Sequence, residues 1–292
     1  MKLEAHAKLN LTLEVLGKRH DGYHNLVSVL QTIDLHDEIE LSESDGISLD
    51  CDVPELAGDG NLVVKAAKAL REVAGTSDGV HMTLRKRIPA AGGLGGGSAD
   101  AAAVLNGLNR LWSAGLDARE LASLALTIGS DVPYLLQGGT ALVQGRGEDV
   151  TPLPRADLDW FVLLSPGFQI ENKTGRLFSL LTAGNRTRGT LSHKLAGRIR
   201  GGGDVPPQFF FNVFDQVADE AYPGMDEYRA AFRGVGAREV LLTGAGPTLY
   251  AAPDSRELGV AWQLLLQSRG WRSELTQAWW PPEPGGNSGG KS

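Results

Sequence analysis

The stretch Pro89-Ala90-Ala91-Gly92-Gly93-Leu94-Gly95-Gly96-Gly97-Ser98, running into Ala99-Asp100-Ala101-Ala102-Ala103, restricts this chain more than any other segment. Five of the six residues from Gly92 to Gly97 are glycine. Each glycine costs chain entropy on folding, and each lets a backbone N–H approach a ligand with no Cβ in the way. Before the loop, Val80, Met82 and Leu84 alternate with His81, Thr83 and Arg85, the period of a strand, which Lys86 and Arg87 close and Pro89 ends. After it, Ala101, Val104, Leu105, Leu108 and Leu111 follow helical spacing and Trp112 extends the stripe, with Ser98 expected as N-cap and Asp100 in the first turn. A glycine loop between a strand and a helix N-terminus gathers unsatisfied N–H donors and a partial positive charge. That is a cradle for phosphate, and the expected ligand is a nucleoside triphosphate.

Several phosphate loops are excluded by their own spacing. No Lys follows the last glycine, as G-x-x-x-x-G-K-[ST] requires. The dinucleotide pattern G-x-G-x-x-G ends on Ser98 or Asp100 instead of glycine, and the protein-kinase catalytic loop is missing. The remaining pattern, Pro-x-x-Gly-Gly-Leu-Gly-Gly-Gly-Ser-x-x-Ala-Ala, resembles the phosphate loop of the GHMP kinases (galactokinase, homoserine kinase, mevalonate kinase and relatives). Two further segments fit that family in order. Leu9, Leu11, Leu13 and Val15 alternate with Lys8, Asn10, Thr12 and Glu14, so one strand face is apolar and the other carries Lys8, Asn10 and Thr12 together. By period alone this could be an ordinary solvated face, yet Ala7-Lys8-Leu9-Asn10-Leu11 resembles the first GHMP motif. Val240-Leu241-Leu242 leads into Thr243-Gly244-Ala245-Gly246-Pro247-Thr248, which resembles the third.

Arg19-His20-Asp21-Gly22-Tyr23-His24 follows the first strand, and Asp-Gly marks a turn there. A Tyr–His pair at a loop edge can stack on a base and bond its polar edge, or be a packed Tyr beside a solvated His. The segment resembles the cytidine-binding stretch of the GHMP branch that phosphorylates a cytidylated methylerythritol. Asp117-x-x-Glu120 reads as a capping box opening a helix through Ile128, with Gly129 as its stop. Asp131, in Gly129-Ser130-Asp131-Val132-Pro133, either caps a short helix from Pro133 or does chemistry; the segment resembles the family stretch with the catalytic Asp.

The resemblance covers the chain to about Trp280. It implies an α+β fold of two domains, an N-terminal ATP-binding domain of the ribosomal-S5-domain-2 type over 1–153 and a ferredoxin-like domain over 154–280, with the active site in the cleft between. It implies a phosphotransferase with an alcohol acceptor, using ATP and Mg²⁺ with no metal ligand assigned to the protein. The product would be a 2-phosphate in isoprenoid precursor synthesis. Asp131 would take the hydroxyl proton, and Lys8 would keep Asp131 ionised and offset charge on the transferring group. Pro89 to Ser98 would hold the phosphates, with Asn61 and Lys86 lining the nucleotide site. Asn61 could equally cap a helix, and Lys86 could be a surface charge. Asn10, Tyr23, His24, Phe178, Thr243 and Gly244 would contact substrate, Tyr23 stacking on the base and Phe178 closing the stack opposite it, although the spacing from Pro166-Gly167-Phe168 to Thr174 and Phe178 looks lengthened. Two alternatives stay open: a kinase of a smaller alcohol such as homoserine or mevalonate, and a nucleotide-binding protein without catalysis.

The rest of the sequence adds bounds. A net charge of −7 argues against general nucleic-acid binding. The single Cys51 precludes an internal disulfide. Met1-Lys2-Leu3-Glu4 begins no apolar leader and no run reaches transmembrane length, so a cytoplasmic protein without membrane partner is expected, as a monomer or weak homodimer. Between Glu171 and Asp204 all charged residues are basic, which could neutralise a substrate diphosphate but fits better a solvated connection. Phe211 to Asp215 is expected to begin a helical region, and Pro281 to Ser292 to be disordered.

Overall fold

The computed structural model describes residues 1–168 and 170–282. In chain order its strands are β1 (Lys2–Lys18), β2 (His24–Ser44), β3 (Ile47–Cys51), β4 (Gly79–Arg85), β5 (Thr140–Gly145), β6 (Asp149–Pro152), β7 (Trp160–Leu164), β8 (Phe211–Asn212), β9 (Leu241–Leu242), β10 (Leu249–Ala251) and β11 (Ser273–Gln277). Its helices are α1 (Leu62–Ala74), α2 (Gly96–Leu111), α3 (Ala118–Ile128), α4 (Val132–Leu135), α5 (Lys173–Leu180), α6 (Thr190–Arg200), α7 (Ala218–Ala221), α8 (Met225–Gly234) and α9 (Arg256–Ser268). The fold is α+β. The tail expected from Pro281 lies, from residue 283 onward, outside the described residues. No described helix is long and apolar enough to cross a membrane.

β1 and β2 form a long antiparallel hairpin, running from Lys2 opposite Glu40 to Lys18 opposite His24. Gly22 turns it at φ +87°, a conformation glycine adopts without strain. Around this hairpin stands a sheet in the order β3-β4-β2-β1-β8, with β5 also pairing β2 and carrying β6. A second sheet has the order β11-β7-β10-β9. α1, α2 and α3 put Val63, Ala66, Leu70, Val104, Leu108 and Ala125 against one face of the first sheet. Between the two sheets Leu9, Leu11, Val27 and Val29 meet Phe161, Leu163 and Tyr250, while Val162 and Leu164 face the opposite way onto Phe232 and Trp262. β7 is therefore apolar throughout because both of its faces are covered.

Three local expectations change. The polar face of β1 is not solvated: Lys8, Asn10, Thr12 and Glu14 are all buried, because loops and helices from later in the chain cover it. Phe211–Asn212 is a strand, parallel to β1 at Thr12 and Leu13, and only then does a 3₁₀ turn begin, capped by Asn212 through its bond from the Phe214 amide. The basic stretch is not merely a solvated connection. α6 packs Ser192, Leu195, Ala196 and Ile199 inward, and buried Glu14 accepts the Ser192 amide at 2.7 Å in the first turn of α6, where a carboxylate is favoured.

Candidate active site

The glycine loop is the joint at which the site is assembled. The Lys8 amide of β1 donates to the Leu94 carbonyl at 2.9 Å, and the Thr248 amide donates to the Gly92 carbonyl at 3.1 Å. The Thr243 hydroxyl lies 3.4 Å from the Lys8 carbonyl and 3.3 Å from that of Gly93. Asn212 donates from Nδ2 to the carbonyls of Leu242 and Gly244, each at 2.8 Å, so β8 holds the second glycine turn. The three motifs distant in sequence thus meet through backbone bonds.

The loop itself differs from expectation at its helix. α2 starts at Gly96, its N-cap is Gly95 at φ +74°, and no side chain caps it; Ser98 lies inside the first turn. The amides of Gly96, Gly97 and Ser98 therefore have neither an intrahelical acceptor nor a cap. A side-chain cap would have occupied the donors that an anion needs.

A cleft of about 1360 Å³ opens over this loop. Its wall includes Lys8, Asn10, Tyr23, His24, Asn61, Lys86, Phe178, Asp131 and Gly244, together with Pro89 to Gly93 and Gly95 to Ser98. Leu94 and Thr243 are not on the wall. Leu94 is buried in the core between the sheets, and Thr243 is buried in the joint just described, so both support the loop from behind.

Lys8 Nζ lies 3.8 Å from Asp131 Oδ2 and donates to Asn10 Oδ1 at 2.6 Å. Asn10 Nδ2 in turn donates to Ser28 Oγ at 2.9 Å. Register shifts between His6 and Lys8 and between Asn10 and Thr12 flank this pair, the local kinks by which a strand re-aims side chains. Burial draws the Lys8 ammonium below the ordinary lysine value, and Asp131 partly restores it. Asp131 occupies the N-cap position of α4 but makes no capping bond, so its half-exposed carboxylate is free toward Lys8 and the cleft.

Three charged residues at the site, Lys173, Asp37 and Asp100, were not among the site residues read from the sequence. Lys173, the first residue of α5, donates from Nζ to the carbonyls of Ala91 and Gly246, tying both glycine turns together. Burial lowers its pKa to about 8, and the charge of Lys8 pushes the same way. Asp37 and Asp100 hold Lys86 between them: Nζ bonds Asp37 Oδ2, and Asp100 Oδ2 at 2.6 Å. Asp37 Oδ1 also accepts the amides of Arg87 and Ile88 at 2.5 and 2.8 Å. Burial works against the Lys86 charge, but the two carboxylates outweigh it and leave its pKa raised. Asp100 is pushed up to about 7 by burial, against the pull of Lys86, and its Oδ1 has no partner among the described residues. A Cβ on Gly96 would lie 3.4 Å from Lys86 Nζ, so this buried triad forms the floor of the loop. Asn61 caps α1 by accepting the Val63 amide at 3.0 Å while also facing the cleft.

At the other end of the cleft, Tyr23 is half exposed under the Arg146 guanidinium, 4.9 Å from its ring centre. Phe178 lines the same cleft as Tyr23. It stacks on His24, with centroids 4.3 Å apart and planes 8° from parallel, and meets the edge of Phe214 at 5.0 Å. Burial, with Lys18 and Arg186 nearby, lowers the His24 pKa. The ring is then neutral at neutral pH and offers one donor and one acceptor.

Residues 61–139 match the family described as GHMP kinases N terminal domain. A protein of Dehalococcoides mccartyi named 4-diphosphocytidyl-2-C-methyl-D-erythritol kinase is 42% identical over 251 residues, 86% of this chain and 88% of its own. The chain belongs to the 4-diphosphocytidyl-2-C-methyl-D-erythritol kinase family. A crystal structure of 4-(cytidine 5'-diphospho)-2C-methyl-D-erythritol kinase superposes with a TM-score of 0.79 at 31% identity, covering 95% of this chain and 99% of that one. A homoserine kinase from Cytophaga hutchinsonii shares the fold at a TM-score of 0.70 and 18% identity, covering 96% of this chain and 94% of that one. In this chain the hairpin tip that carries Tyr23 and His24 shares one cleft with the uncapped glycine loop.

Proposed function

We propose that the chain transfers the γ-phosphoryl group of ATP to the C2 hydroxyl of 4-diphosphocytidyl-2-C-methyl-D-erythritol, giving the 2-phosphate and ADP in isoprenoid precursor synthesis. The observation that carries this reading is the 3.8 Å Lys8–Asp131 pair beside the uncapped α2 N-terminus, in one cleft with Tyr23 and His24. Phosphoryl transfer passes through a loose transition state, so positioning and charge neutralisation contribute more than a strong base. The free amides of Gly96, Gly97 and Ser98 receive the phosphates, with the positive end of α2 behind them. Lys173 adds a cation that the loop sequence itself lacks. Asp131 accepts the proton as the hydroxyl oxygen bonds to phosphorus, and Lys8 faces the charge spread over the transferring group. Asn10 fixes the Lys8 ammonium against the strand so that it does not reorganise during the step. Tyr23 offers a ring face to the cytosine, and neutral His24, braced by Phe178, offers both hydrogen-bond senses to its edge.

Mg²⁺ fits the donors present. The Ser98 hydroxyl and the Asp131 carboxylate are hard oxygens on the wall beside the loop, and Mg²⁺ takes few protein ligands when phosphates supply the rest. Those two oxygens would hold the ion, which would supply charge neutralisation to the phosphates.

The test is a panel of alcohols with ATP, followed by ADP release. Turnover of the cytidylated methylerythritol and not of homoserine or mevalonate is expected. Turnover of a smaller alcohol alone would reject the substrate, and ATP binding without any turnover would reject catalysis.

A further inference from the structure

Outside the cleft, Glu4, His6 and His36 form the one group of potential metal ligands among the described residues, with their donor atoms all within 4.8 Å of one another. His6 and His36 are directly opposed across β1 and β2, and Glu4 lies two residues before His6, on the same face of β1. The two imidazole rings are 5.0 Å apart.

The hydrogen bonds settle which nitrogen of each ring is free. His6 Nδ1 lies 3.1 Å from the Ile33 carbonyl, and His36 Nδ1 lies 2.6 Å from the Asp34 carbonyl. A carbonyl oxygen only accepts, so each Nδ1 carries the proton and each neutral ring presents a lone pair at Nε2. Both Nε2 atoms are turned toward the same carboxylate: His6 Nε2 is 3.5 Å from Glu4 Oε2, and His36 Nε2 is 3.9 Å from Glu4 Oε1. With both rings in the neutral form, three electron-pair donors converge with no donor hydrogen between them. His6 is only 6% exposed and its Nε2 is buried without a hydrogen-bond partner. A buried polar nitrogen left in this state is costly unless something accepts its lone pair.

We propose that Glu4, His6 and His36 bind a first-row divalent metal ion of the zinc type, at a site separate from the catalytic cleft. Two imidazoles and a carboxylate are a donor set that suits zinc, leaving a fourth position to water. The Nδ1–H···O=C bonds are the outer-shell contacts that hold a ligating histidine in its tautomer. Trp279 stacks on His6 with centroids 3.7 Å apart and planes 17° from parallel, and fixes that ring from its other side. Zinc–ligand bonds of about 2.0–2.2 Å require the donors to draw closer than 4.8 Å. Glu4 can supply that movement, since its side chain is 62% exposed. The bound ion would clamp β1 to β2. Through Trp279, whose amide donates to the Thr32 carbonyl at 2.8 Å, it would also steady the segment after β11.

The experiment uses the full chain, stripped with a chelator and dialysed. Zn²⁺ alone is titrated calorimetrically without nucleotide, and Co²⁺ is used to read ligand-field bands in the visible. One equivalent of Zn²⁺ and a rise in Tm are expected for the wild type. His36→Gln and Glu4→Gln change partly or largely exposed side chains. They should keep the metal-free Tm and weaken Zn²⁺ binding by at least about a hundredfold, the upper end of what losing an outer-shell partner costs. Asp131→Asn should bind Zn²⁺ as the wild type does. No saturable binding in the wild type, or undiminished binding in both His36→Gln and Glu4→Gln, overturns the site. Loss of binding in Asp131→Asn overturns it as well, because the ion would then lie in the cleft.

Discussion

Gly93→Ala isolates the joint between the phosphate loop and the second glycine turn. Gly93 sits at φ +85°, and an added Cβ would lie 2.1 Å from the Thr243 carbonyl oxygen, 2.9 Å from the Gly246 nitrogen and 3.0 Å from the Gly246 oxygen. All three are backbone atoms held by the fold, so no flexible side chain can yield. Reaching an ordinary contact of 3.4 Å means parting the two segments by about 1.3 Å. That movement breaks the Thr243 hydroxyl contact with Gly93 and strains the Thr248–Gly92 bond. At about 1 kcal/mol for each hydrogen bond and about 1–2 kcal/mol for a non-glycine residue in the left-handed region, the loss of stability is on the order of 3 kcal/mol. A displacement near 1 Å also moves the phosphates relative to Asp131, at a cost on the order of a hundredfold in kcat/KM. Gly97→Ala is the control for stability alone, because the Gly97 amide itself faces the phosphates. Gly97 lies in the first turn of α2 at an ordinary φ, and its Cβ would meet only Leu62 Cδ1 at 3.5 Å. It should gain about 0.5–1 kcal/mol from the glycine-to-alanine exchange in a helix. Urea denaturation measures both stabilities and steady-state assays give kcat/KM. A Gly93→Ala protein within about 0.5 kcal/mol of wild type and fully active would refute this account of the joint. Equal loss of stability from Gly97→Ala would show that any Cβ in the loop is harmful and that the Thr243 contact is not the cause.

Asp131→Asn should lower kcat by about 10²–10⁴-fold, the range for a positioned general base, while ATP affinity measured by calorimetry stays near wild type; near-normal kcat would remove Asp131 from the mechanism. Lys173→Met should weaken ATP binding by about tenfold to a hundredfold, in line with a hydrogen bond to a charged group. Because burial and Lys8 hold Lys173 at about 8 in the free protein, its charge is present below that pH and lost above it. Wild-type ATP affinity should therefore fall as pH rises through 8, and Lys173→Arg, which stays charged, should fall less steeply; identical profiles would detach Lys173 from the nucleotide. Tyr23→Ala should raise KM for the cytidylated alcohol with little change in KM for ATP, and an equal rise in both would place the ring elsewhere than on the base.

The legible parts of this site share one property: they are written in residues close together in the chain. The loop from Pro89 to Ser98 announces itself because glycine density has few other uses, and the Lys8–Asn10 spacing puts two polar groups on one strand face whatever surrounds it. What could not be read depends on register or on distant packing. Asp37 reaches Lys86 because β2 pairs β4 with Glu38 opposite Arg85, a register no local pattern states. Lys173 looked like one more cation in a basic run, and its partners at Ala91 and Gly246 are 82 and 73 positions away. The stacking of Phe178 on His24 likewise follows from where α5 docks. Ser98 misled for a different reason: it is a good capping residue by type, but the backbone turns into the helix at Gly95, before Ser98 can act.

That early turn links the chemistry to the fold. A side-chain cap on α2 would contribute about 1 kcal/mol to the free protein, and Ser98 was close enough in sequence to provide one. The chain instead enters the helix through glycine and leaves the first amides open, while the stability of the region rests on contacts beneath it: Leu94 in the inter-sheet core, Thr243 in the joint and Lys86 between two buried carboxylates. Breaking such a buried ionic group by removing one partner costs about 3–5 kcal/mol, more than the missing cap. The loop can therefore keep its donors unsatisfied and still hold its shape, because the residues that fix it are not the residues that meet the ligand.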